Sequence, residues 1–257
     1  MRILILGGTT EAAALARLLA DDRRFAPTLS LAGRTLAPLP LPLPTRSGGF
    51  GGVTGLETWL NDNGIAAVID ATHPYAVQIS AHAVAACNAL AIPLASIMRA
   101  PWPREAGDAW IEVATPQAAA QALGRNRERV FLSLGRLELA AFAAAPQHHY
   151  IARTIDPPGD IALPPDIRFV YDRGPFDGGK EESFLRNERI GIMVSKNSGG
   201  SATYPKIAAA RRLKLPVVMI ARPAKPSGVP LDSPEAALRW LETLMGHDGT
   251  STSRRGV

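Results

Sequence analysis

One cysteine, Cys87, stands in the whole chain of 257 residues, which excludes an internal disulfide and any cysteine-rich metal site. Its neighbours, Ala83 to Leu90, have the composition of an apolar helix, so Cys87 reads as a buried structural thiol rather than a nucleophile. Aromatic residues are scarce at 6%, and the basic residues behind the net charge of +5 are scattered. No basic–aromatic stripe exists on which bases could stack, so the charge suits a small anionic ligand better than nucleic acid. No apolar run approaches the roughly 18–20 residues that span a bilayer, and no membrane partner is expected. A strand directly after Met1, without the basic, apolar and small-residue layout of a signal peptide, points to the cytoplasm. The adjacent His148 and His149 fall on a strand and so face opposite ways, which is poor geometry for one ion; no metal is expected. With 46% hydrophobic and 20% charged residues the composition is that of an ordinary globular chain, long enough for one large domain or two.

The chain begins with a short apolar run, Ile3 to Leu6, then Gly7-Gly8-Thr9-Thr10-Glu11, then the helix formers Ala12 to Ala20. A buried strand, a tight turn and a helix follow from that pattern. The glycines let the backbone bend and a ligand approach. The helix start offers free N–H groups and a positive dipole end, which favours a phosphate. The spacing is not the full G-x-G-x-x-G fingerprint, and a plain packing turn is the alternative. Thr28 to Gly33 reads as a second strand with Arg34 just beyond it. In a dinucleotide fold an arginine there, with no acid, accommodates a 2′-phosphate and favours NADPH over NADH; a solvent-facing arginine is the alternative. Ala37 to Pro44 alternates proline with leucine and is extended, continuing as an edge strand to Arg46. Gly48-Gly49-Phe50-Gly51-Gly52 then forms a loop whose aromatic can cover a flat ligand, or a flexible surface turn, before a helix around Leu56 to Leu60.

The strand Ala66 to Asp70 runs straight into Ala71-Thr72-His73-Pro74-Tyr75-Ala76 and a helix to Leu90. Asp70, Thr72, His73 and Tyr75 therefore gather at one strand end. A helix cap explains Asp70 or Thr72 alone, but not His73 and Tyr75 beside them. After a strand at Ile92 to Met98, the prolines around Trp102 mark a linker, and strand–helix alternation restarts at Asp108. Strands are expected at Trp110 to Val113, Arg129 to Gly135, His149 to Ile155, Arg168 to Asp172, Ile190 to Val194 and, last, Pro216 to Ile220, with helices at Pro116 to Leu123, Leu139 to Ala145, Glu181 to Asn187 and Ile207 to Leu213. Ser195-Lys196-Asn197-Ser198-Gly199-Gly200-Ser201, at a strand's carboxyl end, has the makings of an anion nest, with Lys206 close behind. Ser233-Pro234-Glu235 caps a closing helix through Met245. The expected organisation is α/β in two domains, residues 1–100 and 101–246, followed by a disordered tail at 247–257.

Five stretches together resemble the precorrin-6A reductase family of cobalamin biosynthesis: Ile5-Leu-Gly-Gly-Thr-Thr-Glu-Ala12, Leu31-Ala-Gly-Arg34, Gly48-Gly-Phe-Gly-Gly52, Asp70-Ala-Thr-His-Pro-Tyr-Ala76 and Ser195-Lys-Asn-Ser-Gly-Gly200. The resemblance implies two Rossmann-like domains with mainly parallel sheets and an inter-domain cleft, NADPH as cofactor, an anionic tetrapyrrole as substrate, and hydride transfer to one double bond of precorrin-6A to give precorrin-6B. By the same resemblance the cofactor residues are Gly7, Gly8, Thr9, Thr10, Glu11, Arg34, Gly49, Phe50, Gly51, Asp70, Thr72 and His73. The substrate residues are Tyr75, Lys196, Asn197, Ser198, Gly199 and Lys206, and His73, Tyr75 and Lys196 are the candidate proton donors, with water as a competitor. The chain is expected to be a monomer or weak oligomer. Cobalt-precorrin-6A reductase of the anaerobic pathway is the alternative substrate reading, and a non-catalytic NADPH-binding regulator the alternative from another class. A short-chain dehydrogenase does not fit, because the Tyr-x-x-x-Lys pattern is absent: Tyr75 is followed at the fourth position by Ile79, and Tyr204 by Ala208.

Overall fold

The chain was analysed as a computed structural model that describes residues 1–33, 35 and 39–248. It forms two compact units, Met1–Arg99 with the described part of Ala224–Val257, and Ala100–Pro223. Arg34 and residues 249–257, most of the expected tail, lie outside the described residues.

The first unit is built on β1 (Arg2–Leu6), β2 (Ala26–Leu31), β3 (Thr45–Ser47), β4 (Ala67–Asp70) and β5 (Leu94–Ile97), with helices α1 (Thr10–Leu19), α2 (Gly52–Asp62) and α3 (Val77–Leu90) between them. All strands are parallel, so both faces of the sheet need cover and the strands read as continuous apolar runs. In β1, Ile3 and Ile5 face a core with Leu15, Leu19, Leu29 and Ile69. Leu4 and Leu6 face the other, with Leu56, Leu60, Val68, Ala83 and Cys87. Each of these leucine and isoleucine side chains contributes about 1.5–3 kcal/mol by leaving water. Burial also pushes the Cys87 thiol up to about 12, as suits a structural cysteine.

The second unit follows the same plan. Its elements are β6 (Ala109–Val113), α4 (Pro116–Ala122), β7 (Arg129–Ser133), a 3-10 helix (Arg136–Ala144), β8 (His149–Thr154), β9 (Ile167–Tyr171), α5 (Gly178–Asn187), β10 (Ile192–Lys196), α6 (Pro205–Arg212) and β11 (Pro216–Ile220). The segment expected as an α-helix at Leu139 to Ala145 starts earlier and winds as the tighter 3-10 form. Phe131, Ile151, Met193, Val217 and Met219 pack under α5 and α6 through Leu185 and Ile207.

The last elements correct the expected boundaries. β11 is not the final strand: β12 (Val229–Leu231) follows, then α7 (Pro234–Asp248). Expected in the second domain, both belong to the first, where β12 pairs with β5 and α7 packs against α1. The first sheet then runs β3-β2-β1-β4-β5-β12, and the second β9-β8-β7-β10-β11-β6. Both have the 3-2-1-4-5-6 strand order of a doubly wound dinucleotide fold. The sixth strands are exchanged: β6, which follows β5 in the chain, completes the second sheet, and β12, which follows β11, completes the first. The chain therefore crosses between units twice, after Arg99 and after Pro223.

Candidate active site

In sheets of this order, ligands bind at the carboxyl ends of the strands where the order reverses. In the first sheet that point lies between β1 and β4, whose Leu6 and Asp70 are register partners. The turn after β1 is built for close approach. A Cβ on Gly7 would stand 2.6 Å from Leu29 Cδ1, so the backbone passes tightly against β2. Gly8 has φ +108, and no atom lies within 4 Å of where its Cβ would be, which leaves that side of the turn open. Thr9 caps α1 by accepting from Ala12 N at 3.2 Å and donates to Ala71 O at 2.7 Å, which ties the turn to the end of β4. The N–H groups of a first helical turn have no helical acceptors. An open, glycine-lined turn with such donors fits a dinucleotide diphosphate.

Glu11, in the first turn of α1, is engaged by Arg99, whose Nη1 donates to both carboxylate oxygens at 3.0 and 2.8 Å. Burial alone raises the Glu11 carboxyl, but the bonds from Arg99 and its charge outweigh this and hold it below the usual carboxylate range. Gly49, Phe50 and Gly51 lead into α2, and Arg46 organises them. Its guanidinium lies 3.8 Å from the Phe50 ring centroid and donates to Ser30 Oγ at 2.7 Å, Gly48 O at 3.0 Å and Gly49 O at 2.8 Å. Arg46 thus stands at the carboxyl end of the first sheet beside β2, where the sequence pointed to Arg34.

The Asp70 cluster divides in two. Asp70 and Thr72 are buried, and their polar atoms meet one another. Asp70 accepts from Thr72 N at 3.0 Å, Thr72 Oγ1 at 2.6 Å and Ser80 Oγ at 2.6 Å. Lys225 then reaches in from beyond the second crossing, 3.2 Å from Asp70 Oδ2 and 3.0 Å from Thr72 Oγ1. Asp70 and Thr72, expected at the cofactor, thus lie among chain partners: the Asp70 carboxylate is 1% exposed, with four donors on it. His73 and Tyr75 are only partly buried, with rings 5.5 Å apart, and His73 Nδ1 accepts from Tyr75 N at 3.3 Å. They form the accessible half of the cluster.

The second sheet reverses between β7 and β10, where Ser133 and Ser195 are register partners. Lys196, at the end of β10, pairs with Glu138 at 2.7 and 2.9 Å. Lys206 is buried, donates to Ser133 Oγ at 2.7 Å and lies 5.7 Å from the Trp102 ring centroid. Burial pushes its ammonium down to about 7. Lys206, expected at a substrate carboxylate, is thus enclosed by its own chain in this structure. Asn197, expected at the substrate, is likewise engaged within the chain. Its Oδ1 accepts from Trp102 N at 2.8 Å and its Nδ2 donates to Trp102 O at 3.0 Å. Arg222 binds the carbonyls of Asn197, Ser198 and Ala100 at 2.7, 2.8 and 3.0 Å. Gly199 has φ +66, and a Cβ there would stand 2.1 Å from Ala100 O. The loop is the socket in which residues next to both crossings are seated. Arg46, Arg99, Glu138, Arg222 and Lys225 were not singled out from the sequence; the last four act on partners that only tertiary folding brings near, while Arg46 joins Ser30 to the carbonyls of Gly48 and Gly49 just after it. A cavity of about 480 Å³ lined by Arg127, Arg129, His149 and Arg189 lies at the amino edge of this sheet, away from these groups.

Comparison with known proteins accords with this geometry. Residues 2–242 match the family model described as precorrin-6x reductase CbiJ/CobK. Precorrin-6A reductase of Rhodobacter capsulatus is 50% identical over 241 residues, covering 93% of this chain and 95% of that one. Precorrin-6A reductase of a Sinorhizobium species is 48% identical over 229 residues, covering 89% and 87%. The solved structure titled CobK precorrin-6A reductase superposes with a TM-score of 0.89 at 48% identity over 99% of both chains. Cobalt-precorrin-6A reductase of Salmonella typhimurium is more distant, 29% identical over 232 residues, covering 86% and 87%. The chain belongs to the precorrin-6x reductase family of cobalamin biosynthesis.

Proposed function

We propose that the chain is an NADPH-dependent reductase that adds a hydride and a proton across one double bond of precorrin-6A, giving precorrin-6B. The observation that carries this reading is the open Gly7–Thr10 turn at the reversal point of the first sheet, in a chain half identical to a precorrin-6A reductase. When bound, NADPH would supply the hydride. The protein's part is placement and the exclusion of water. Gly7, Gly8, Thr9 and Thr10 hold the diphosphate, and Gly49, Phe50 and Gly51, braced by Arg46, border the adenosine half. Arg46 supplies positive charge near the end of β2 for the 2′-phosphate, the role that the sequence gives to Arg34. His73 and Tyr75 stand where the reacting ring and the macrocycle meet, and either can hold the proton that completes the reduction. Lys196, with Ser198 and the Gly199 backbone, meets substrate carboxylates. We place the enzyme in the cytoplasm as a monomer or weak oligomer.

The metal-free macrocycle is favoured over the cobalt form because identity to the precorrin-6A reductases reaches 50%, against 29% for the Salmonella cobalt-precorrin-6A reductase. The test is anaerobic mixing of the pure protein with NADPH or NADH and either macrocycle, following loss of the nicotinamide absorbance band. Rapid loss with NADPH and the metal-free substrate is expected. Cofactor binding with no turnover of either macrocycle would instead make the protein a regulator that senses NADPH.

A further inference from the structure

Glu11 poses a problem for the proposed cofactor site. It sits in the first turn of α1, immediately after the Gly7–Thr10 turn. An acid there suits the helix dipole, yet it also puts a full negative charge beside the place proposed for a diphosphate. The fold answers with Arg99, 88 residues further on, the last residue of its unit before the first crossing. The guanidinium holds both carboxylate oxygens, and both side chains are about four-fifths buried, at 18% and 20% exposed. At that depth the pair is little screened by salt, so the fate of each charge is felt by neighbouring groups.

We propose that Arg99 is a positioning residue of the cofactor site: by cancelling the Glu11 charge at the mouth of the Gly7–Thr10 turn, it lets that turn accept the diphosphate of a dinucleotide. This rests on the dinucleotide reading of the turn and extends it to a residue that no glycine motif contains. The effect is on the diphosphate, which NADPH and NADH share, and not on the 2′-phosphate that separates them. The two partners of the pair should therefore act with opposite sign. Without Arg99 the Glu11 carboxylate, still bonded by Thr10 Oγ1 at 3.1 Å, turns its full charge toward the diphosphate; without the Glu11 charge the guanidinium has lost this counter-ion.

The experiment measures the dissociation constants of NADPH and NADH for the full chain by nicotinamide fluorescence, with a melting curve for each variant. Arg99→Met should weaken both dinucleotides by the same factor, about tenfold. Glu11→Gln should tighten both, and the double variant should return to within about threefold of the parent. Weakening in both single variants would show an ion pair that merely holds the fold, and would overturn the proposal. Loss confined to NADPH would make Arg99 a reader of the 2′-phosphate, and no change in Arg99→Met would remove it from the site; either overturns the proposal. If Arg99→Met does not fold, Glu11→Gln decides alone: tighter binding supports the proposal, and unchanged or weaker binding refutes it. A parent protein that binds neither dinucleotide overturns the cofactor reading itself, an outcome distinct from all of these.

Discussion

Replacing Lys225 by Met tests whether the Asp70 cluster is a fastening or a ligand site. Asp70 is 1% exposed, and the Lys225 ammonium lies 3.2 Å from its Oδ2. At that distance and an effective dielectric of about 20, the attraction is about 5 kcal/mol before the cost of desolvating the two charges is subtracted. Removing one member of a buried pair typically costs about 3–5 kcal/mol, because the other charge is left uncompensated. Asp70 would keep three donors, Thr72 N, Thr72 Oγ1 and Ser80 Oγ, so the low end of that range applies. A loss of about 3 kcal/mol corresponds to a fall in Tm of about 6–12 °C in a unit of this size. The second variant is the sharper one: Lys225→Met with Asp70→Asn removes both charges and should recover at least half of the loss. Circular dichroism melts and urea titrations at neutral pH read both effects. Raising salt to 0.5 M should leave the difference almost unchanged, since a buried pair is weakly screened. A shift under 2 °C for the single variant, or a double variant no more stable than the single, would refute the reasoning and return Asp70 to the list of ligand-binding groups.

Lys206 should leave a pH signature. Burial lowers its ammonium from 10.5 to about 7, so between those values the unfolded chain binds the extra proton and the folded chain does not. Stability from this group therefore rises as pH climbs from 7 toward 10.5 and is lost as pH falls back. Urea titrations at pH 7.5 and 9.5 should show about 2 kcal/mol of gain in the parent that Lys206→Met lacks. Gly199→Ala must adopt φ +66 and push a methyl to 2.1 Å from Ala100 O, so it should cost at least about 3 kcal/mol by the same titration; a loss below 1 kcal/mol would mean that the socket yields easily. Asn197→Ala removes both bonds to the Trp102 backbone and should lower stability by about 1–3 kcal/mol, whereas a pure substrate ligand would leave the melt untouched and raise only KM. Tyr75→Phe should lower kcat about 100-fold if the phenol delivers the proton, with dinucleotide affinity unchanged; a change under threefold assigns the proton to His73 or to water.

Local chemistry made much of the fold legible. The apolar run of β1, the glycines after it and the alanine-rich helix specify strand, turn and helix through contiguous residues from Ile3 to Ala20, and α1 and β1 stand where that pattern puts them. The exchange of sixth strands was not legible. β12 is three residues long and carries Pro230 at its centre, so nothing local marks it as a strand. It exists because it lies parallel to β5, with Gly228 packed so closely that a Cβ would stand 2.0 Å from Leu94 O. The same long-range step hides Arg99 and Lys225, which meet partners 88 and 155 residues away in sequence. A polar residue at the carboxyl end of a strand can serve a ligand or hold a passing segment, and the sequence looks the same for both. Burial separates the two uses. Asp70, Thr72 and Asn197 turn their polar atoms on other parts of the chain, whereas His73, Tyr75 and the Gly7–Thr10 backbone stay within reach of a ligand. An enzyme whose chain crosses twice between its units needs both kinds of residue at the same sheet edges. The crossings leave from the ends of β5 and β11, the edge where strands of this order bind ligands, so segments are fastened at the same edge that offers a ligand site.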